Sequence, residues 1–353
     1  MKALEFYSGI GGLHLALERS GVPATVTHAF DWDQNACAVY SANFGAGIAR
    51  KTDISTLSAD ALASYDASLW LLSPACQPYT VLNPQAKGAL DPRAQSFLHL
   101  IQEVLPELAA RGAHPTHFLV ENVAGFEAST TRKILISTLQ NLGYSTVELL
   151  LTPLQFGIPN SRLRYYLLAK RAPHSFSDCA AHEPLRSLPC MESVAHVDEL
   201  RKYLDSEPDE RCTIPDRVLV KWGRLFDIVP PSARRTCCFT RGYTQLVERA
   251  GSILQMNESL DTTTVFDTFL AQQAEDAVRM LDPLRLRYFS PDELLRIFAF
   301  RPVSGDAPAF VWPPGLSRKM QYRLIGNSVN VRVVEELIRY LFRESEPALA
   351  IGK

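Results

Sequence analysis

The 353-residue chain has no Cys-x-x-Cys pair and no Cys/His spacing suited to zinc, although it carries seven cysteines. No metal site is expected from it. The odd cysteine count predicts free thiols in a reducing compartment, and the expected location is the cytoplasm, with the nucleus as the alternative. The start, Met1-Lys2-Ala3-Leu4-Glu5-Phe6, reads as a strand rather than a secretory signal. No apolar run is long enough to span a bilayer, so no membrane partner is expected. An excess of basic charge is also missing: 36 Lys and Arg against 38 Asp and Glu leave a net charge of -2. Proteins that hold nucleic acid by their overall field are usually basic, so any such binding must rest on local clusters. Arg234, Arg235, Arg241 and Arg249 form one candidate patch; Arg318, Lys319 and Arg323 form a weaker one. Internal repeats and low-complexity tracts are absent too. What remains is a globular composition, 46% hydrophobic and 21% charged, with length for one large domain or two modest ones.

Short β-like runs alternate with amphipathic helical stretches up to about Arg171. The candidate strands are Ala3–Tyr7, Thr25–Phe30, Leu69–Leu72, Phe118–Val120, Thr146–Leu151 and Tyr165–Ala169. Helical spacing groups Leu13, Ala16 and Leu17; then Phe97, Ile101, Val104, Leu105 and Leu108; then Ile134, Leu135, Leu139 and Leu142. Such alternation predicts an α/β fold with a mostly parallel, doubly wound sheet, whose site lies beyond the C-terminal strand ends. From Ala172 to Leu284 the alternation is lost, which predicts a smaller second domain. Order returns after Arg285, with a helix opening at Ser290-Pro291 and a last helix carrying Val333, Val334, Leu337, Ile338 and Leu341 on one side. The expected division is therefore 1–171 with 285–353, and 172–284.

Each distinctive motif follows a candidate strand. Phe6-Tyr7-Ser8-Gly9-Ile10-Gly11-Gly12 is a glycine loop that opens a helix; its spacing is not that of a dinucleotide-binding loop. Asp31 beside Trp32 suits ribose hydroxyls and a purine face, and Asp53, before Ile54, could accept from an adenine amino group. Ser73-Pro74-Ala75-Cys76-Gln77-Pro78-Tyr79 sets a cysteine in a loop stiffened by prolines, where a packed thiol is the bland alternative. Glu121-Asn122-Val123 ends the next strand, and Gln155–Arg164 contributes Arg162 and Arg164. A thiolate, an acid and arginines beside an adenosine pocket suit one chemistry. The thiolate adds to carbon 6 of cytosine, the acid assists at ring nitrogen 3, and carbon 5 becomes nucleophilic enough to accept a methyl group. The base must be unstacked to reach such a site.

These motifs, together with Gly326-Asn327-Ser328-Val329 and in this order, resemble the DNA cytosine-5 methyltransferase family almost end to end. Cys238-Phe239-Thr240, Gly251–Gln255 and Leu286–Pro291 resemble the small branch that methylates cytosine 38 of the aspartate tRNA anticodon loop. The expected lack of a regulatory domain ahead of the core points to the same small branch, and the family resemblance implies a Rossmann-like, S-adenosylmethionine-dependent methyltransferase fold with a target-recognition domain at 172–284. It implies S-adenosylmethionine as cofactor and tRNA as partner. It makes Cys76 the nucleophile and Glu121 the acid, with Arg162 and Arg164 positioning the base. The cofactor would be held by Phe6, Ser8, Gly9, Ile10, Gly11, Gly12, Asp31, Trp32, Asp53, Ile54, Pro74, Asn327, Ser328 and Val329, with Gln77, Cys238, Thr240 and Arg241 on the substrate side. It also implies that the last helix packs on the first domain.

Two positions depart from the pattern. Ala75 stands where the family usually has a second proline, and Val81 where the branch commonly has a basic residue. They motivate a rival reading, a catalytically silent nucleic-acid-binding homologue, which the intact Cys76, Glu121, Arg162 and Arg164 oppose. DNA methylation by the same chemistry is the nearer rival. The small second domain favours a structured RNA that brings its own shape. A nicotinamide-dependent dehydrogenase is the third reading, opposed by the glycine spacing.

Overall fold

A computed structural model describes residues 1–79, 88–176, 183–189, 191, 196–207, 209–272, 277–303 and 310–343. Val81, Cys179 and Cys190 lie outside the described residues. The chain divides into two compact units. The first comprises 1–151, 163–192 and 331–353, and the second 152–162 and 193–330.

The first unit is built on one seven-stranded sheet in the order β3-β2-β1-β4-β5-β7-β6. Its strands are β1 (Lys2–Phe6), β2 (Thr25–Asp31), β3 (Ala49–Lys51), β4 (Leu69–Leu72), β5 (His117–Val123), β6 (Tyr144–Leu151) and β7 (Arg164–Arg171). All neighbours pair in parallel except β7, which runs antiparallel to both β5 and β6. This is the α/β, Rossmann-like doubly wound architecture that the alternation predicts. Strand β4, Leu-Trp-Leu-Leu, is buried at every position, as a parallel strand covered on both faces must be. The covering helices include α1 (Gly12–Ser20), α2 (Gln34–Phe44), α3 (Ala59–Ala63), α4 (Gln95–His99), α5 (Leu105–Ala110) and α6 (Thr130–Asn141). Between α4 and α5 the turn widens to π spacing over Leu100–Val104, just before Pro106. A helical proline cannot bond to the carbonyl four residues back and clashes with it, and the wider turn makes room.

Connections run from β1 to one side (β2, β3) and then to the other (β4, β5). The switch point lies between β1 and β4, where open α/β sheets form ligand crevices. Register shows what gathers there. Phe6 pairs with Phe30 on one side and Leu72 on the other, and Leu72 pairs with Val120. The residues that follow each of these (Tyr7, Asp31, Ser73 and Glu121) therefore share one rim.

The second unit has its own small sheet, β8 (Ile228–Val229), β9 (Ile253–Gln255) and β10 (Leu286–Arg287), in the order β10-β9-β8. Helices α7 (Asp216–Trp222), α8 (Thr262–Leu270), α9 (Pro291–Ile297) and α10 (Arg318–Asn327) belong to it. Ile214, Leu219, Ile253, Phe266, Leu281 and Leu284 form an apolar core. Ser290 caps α9 as its spacing predicts: the Glu293 amide donates to Ser290 Oγ, and the Ser290 amide to Glu293 Oε2 at 2.7 Å. The same carboxylate accepts both Arg287 terminal nitrogens, at 2.8 and 2.7 Å, so the buried charges neutralise each other. Packing thus groups 285–330 and 152–162 with the second unit, whereas the sequence pattern assigns them to the first domain. The chain returns to the first unit with α11 (Val331–Leu341), which packs on α1 as the family resemblance implies.

Among the described residues, no helix is long and apolar enough to cross a membrane, and no cluster of His, Cys, Asp or Glu could hold a metal ion.

Candidate active site

The glycine loop leaves β1 through two left-handed residues, Tyr7 (φ 59°) and Gly9 (φ 53°). Gly11 (φ 85°) then caps α1, and a Cβ there would lie 2.2 Å from the Phe44 ring, so only glycine fits. The Gly9 amide donates to Asp31 Oδ2 at 2.8 Å, and the Asp33 amide to Asp31 Oδ1 at 2.7 Å. Two strand ends are thereby joined through one carboxylate. Burial outweighs these amides and pushes the Asp31 carboxyl above its usual range. Trp32 beside it is 67% exposed, and the Lys51 ammonium lies 5.8 Å from its ring centre. Asp53 is exposed and caps the turn Ile54–Thr56, accepting from the Ser55 hydroxyl and amide, which holds its carboxyl below the usual range.

Asp31, Trp32, Asp53, Ile54 and Ala75 line a cavity of about 540 Å³, within the size range of small-ligand sites. Two carboxylates, an exposed indole and apolar walls match the hydroxyls, amino group and flat ring of an adenosine. The residues present therefore fit the cofactor that the family resemblance implies. Tyr7 and Arg93 are among the further wall residues that the sequence did not point to. Tyr7 stands inside the glycine loop, but nothing in the pattern announces that its hydroxyl bonds Ser96 at 3.0 Å. Arg93 lies in a segment that the motif search did not single out.

Cys76 follows the cavity wall at Ala75. The residue is partly exposed and is not part of the apolar core, and its carbonyl accepts from the Tyr79 amide at 3.0 Å to close a tight turn. Two bonds fix the loop's approach: Ser73 Oγ donates to the Tyr7 carbonyl at 2.9 Å, and Asn122 Nδ2 to the Pro74 carbonyl at 3.1 Å. The second bond ties the cysteine loop to the end of β5, next to Glu121. Glu121 is 8% exposed, and its Oε1 lies 3.4 Å from Arg164 Nε. Gln77 is partly exposed in the same loop.

Arg162 has a different place. It belongs to the second unit, is 3% exposed, and directs its nitrogens to the carbonyls of Phe239, Gly326 and Ser328, with Cys238 Sγ 3.4 Å away. Its guanidinium also stacks over Phe298. It clasps three distant segments, a role that its alternation with Arg164 in sequence does not reveal. Thr240 is partly buried and Arg241 is exposed beside it. Asn327, at the end of α10, is exposed, while Ser328 and Val329 are buried in this unit.

Comparison with known proteins follows this geometry. The family model for C-5 cytosine-specific DNA methylases matches residues 1–343. The tRNA (cytosine(38)-C(5))-methyltransferase of Schizosaccharomyces pombe is 39% identical over 97% of this chain and 96% of its own length. The Homo sapiens protein of the same name is 32% identical over 97% and 99%. A Dictyostelium discoideum relative, 33% identical over 98% and 95%, is named DNA (cytosine-5)-methyltransferase. Among solved structures, a mutant of Spodoptera frugiperda DNMT2 superposes with a TM-score of 0.85 at 34% identity, covering 97% of this chain and 99% of that one. A match that spans nearly the whole chain in sequence and in fold leaves one conclusion: the chain belongs to the C-5 cytosine-specific DNA methylase family.

Proposed function

We propose that this chain methylates carbon 5 of a cytosine in tRNA, with cytosine 38 of the aspartate tRNA anticodon loop as the favoured target. The observation that carries the reading is the bond from Asn122 to the Pro74 carbonyl, which sets the Cys76 loop beside Glu121 and the Arg164 that pairs with it. Family membership and the names of the relatives support the reaction and the substrate.

In this reading the Cys76 thiolate adds to carbon 6 of an unstacked cytosine. Glu121, in its protonated form, donates to ring nitrogen 3, drawing electron density from the ring so that addition is easier. Arg164 orients Glu121 and the base edge. Asp31, Trp32, Asp53 and Ile54 would hold S-adenosylmethionine, which when bound would supply the methyl group for carbon 5 and be left as the demethylated thioether. Release of the carbon-5 proton to solvent, followed by elimination of the sulfur as thiolate, frees Cys76 and leaves 5-methylcytosine. Arg162 acts at one remove, by holding the chain that leads into Arg164. Cys238, Thr240 and Arg241 of the second unit are read as the target-recognition side.

DNA is the second reading, favoured by the name of the Dictyostelium discoideum relative. An anticodon loop already offers splayed bases, whereas a duplex must be opened at a cost of a few kcal/mol. The test is bisulfite sequencing of total tRNA treated with wild type or Cys76→Ala, beside methyl incorporation into duplex DNA. New 5-methylcytosine in tRNA from the wild type alone is expected. Incorporation into DNA but not tRNA overturns the substrate, and an active Cys76→Ala overturns the mechanism.

A further inference from the structure

We propose that Arg93 is a positioning residue for Cys76, presenting a fixed positive charge to the loop sulfur and favouring the thiolate over the thiol. This rests on the reading of Cys76 as the nucleophile.

Three observations meet here. First, Arg93 is anchored. Its Nε and Nη2 donate to the two Asp91 oxygens at 2.8 and 2.6 Å, a bidentate pair, and the Asp91 side chain also accepts the Arg93 amide at 3.0 Å. Asp91 is 3% exposed, while half of the Arg93 side chain remains accessible. The guanidinium is thus fixed by Asp91 through two of its nitrogens, and the accessible part of the side chain faces open space. Second, that space is the cavity that Ala75 lines, and Arg93 is the only Lys or Arg among the described residues on its wall. Third, Cys76 directly follows Ala75, the residue of its loop that shares this cavity wall with Arg93, and the charge of its sulfur is the smallest of the influences that hold the proton on the Arg93 guanidinium, behind the dominant Asp91 bond. That attraction is mutual, and a neighbouring arginine is a standard means of activating a cysteine.

The other charges at the site make a cation there matter. Asp31 and Asp53 on the cavity wall oppose an anion, as does Asp91, whose pairing offsets part of the Arg93 charge, and Arg164 is engaged with Glu121. Tyr7 and Tyr79 are neutral, their phenols pushed above the ordinary range chiefly by burial. Within the loop itself, Pro74-Ala75-Cys76-Gln77-Pro78-Tyr79 has no basic residue, and Val81 stands where the branch commonly has one.

The test uses the full chain without cofactor or RNA. Alkylation of Cys76 by iodoacetamide is followed by peptide mass spectrometry from pH 6 to 10 in wild type, Arg93→Met and Arg93→Lys. Arg93→Met should move the midpoint up by about one pH unit, so that alkylation at pH 7 slows about tenfold. Arg93→Lys should recover most of the shift, and the single-turnover methylation profile should move in parallel. An unchanged midpoint in Arg93→Met overturns the proposal, and doubly so if tRNA or cofactor affinity falls instead, because Arg93 is then a ligand contact. A fall in reactivity at every pH that lysine does not rescue also overturns it, as a structural effect. Failure of the underlying reading is distinguishable: it would appear as methylation by Cys76→Ala, whatever the alkylation midpoint.

Discussion

Glu121 and Arg164 form the pair on which the proposed chemistry turns, and their separation sets what substitution should do. At 3.4 Å the ion pair is loose, with both side chains largely sheltered from solvent. Glu121→Gln keeps the shape and removes the acid. Single-turnover methylation should fall by about 10² to 10⁴, the usual range for a general acid, while cofactor affinity holds. Arg164→Met leaves the carboxylate without its charged partner, a loss of about 1.5–3 kcal/mol, or roughly tenfold to a hundredfold in rate if it falls wholly on the transition state. An Arg164→Met enzyme as fast as wild type would remove Arg164 from the site. Arg162 differs in kind. Its partners are mostly main-chain carbonyls, so its loss should appear first as a lower melting temperature.

The helix α10 ends against the turn at Thr240-Arg241, and Gly326 is where they touch. A Cβ on Gly326 would lie 2.2 Å from the Thr240 carbonyl carbon and 2.3 Å from the Arg241 nitrogen, both backbone atoms. Replacing glycine with alanine inside a helix ordinarily adds up to about 1 kcal/mol of stability. Here the overlap wins, and Gly326→Ala should cost about 1–3 kcal/mol or more, with thermal denaturation as the check. A melting temperature equal to or above the wild-type value would refute that packing. At this scale, much of the fold was legible in advance. Six strands were readable because buried strands carry apolar runs, and the motifs followed them because sheet sites sit at strand ends. Strand β3 was not readable. Ala49-Arg50-Lys51 is a short, largely exposed edge made by backbone pairing to β2, which leaves no side-chain pattern. The antiparallel turn of β7 was hidden for a similar reason, since a buried strand looks the same in either direction. Within the candidate site, the sequence offered Cys76, Glu121 and Arg164 as candidates, and the fold brings the last two within 3.4 Å and ties the Cys76 loop to Asn122. The clasp of Arg162 was not readable, because its partners are carbonyls that every residue possesses. Nor was Arg93, which joins Ala75 on one cavity wall only through the fold.

For the molecule as a whole, the buried titratable groups of the first unit predict how stability follows pH. Burial lowers His14 and His117 to about 4, so between 6.5 and 4 the unfolded chain binds protons there that the folded chain refuses. Each contributes stability that is lost as pH falls through that window, at up to about 1.4 kcal/mol per pH unit. Glu5 runs the other way. It is fully buried on β1, and burial raises it to about 8 even though Tyr40 donates to it at 2.7 Å. Between 4.5 and 8 the folded carboxyl keeps a proton that the unfolded one has released, so its contribution is lost as pH rises. From 4.5 to 6.5 the two histidines outweigh the one carboxyl, and above 6.5 Glu5 acts alone. Stability from these three groups should therefore peak near pH 6.5. Thermal midpoints recorded from pH 5 to 8.5 test this, and Glu5→Gln tests the cause. The Gln oxygen can still accept from Tyr40, and the alkaline decline should flatten whatever the variant's absolute midpoint. A midpoint that climbs steadily to pH 8 in the wild type would mean that Glu5 is ionised in the fold, stabilised by Tyr40 and by the Leu13 and His14 amides of α1 more strongly than burial opposes it.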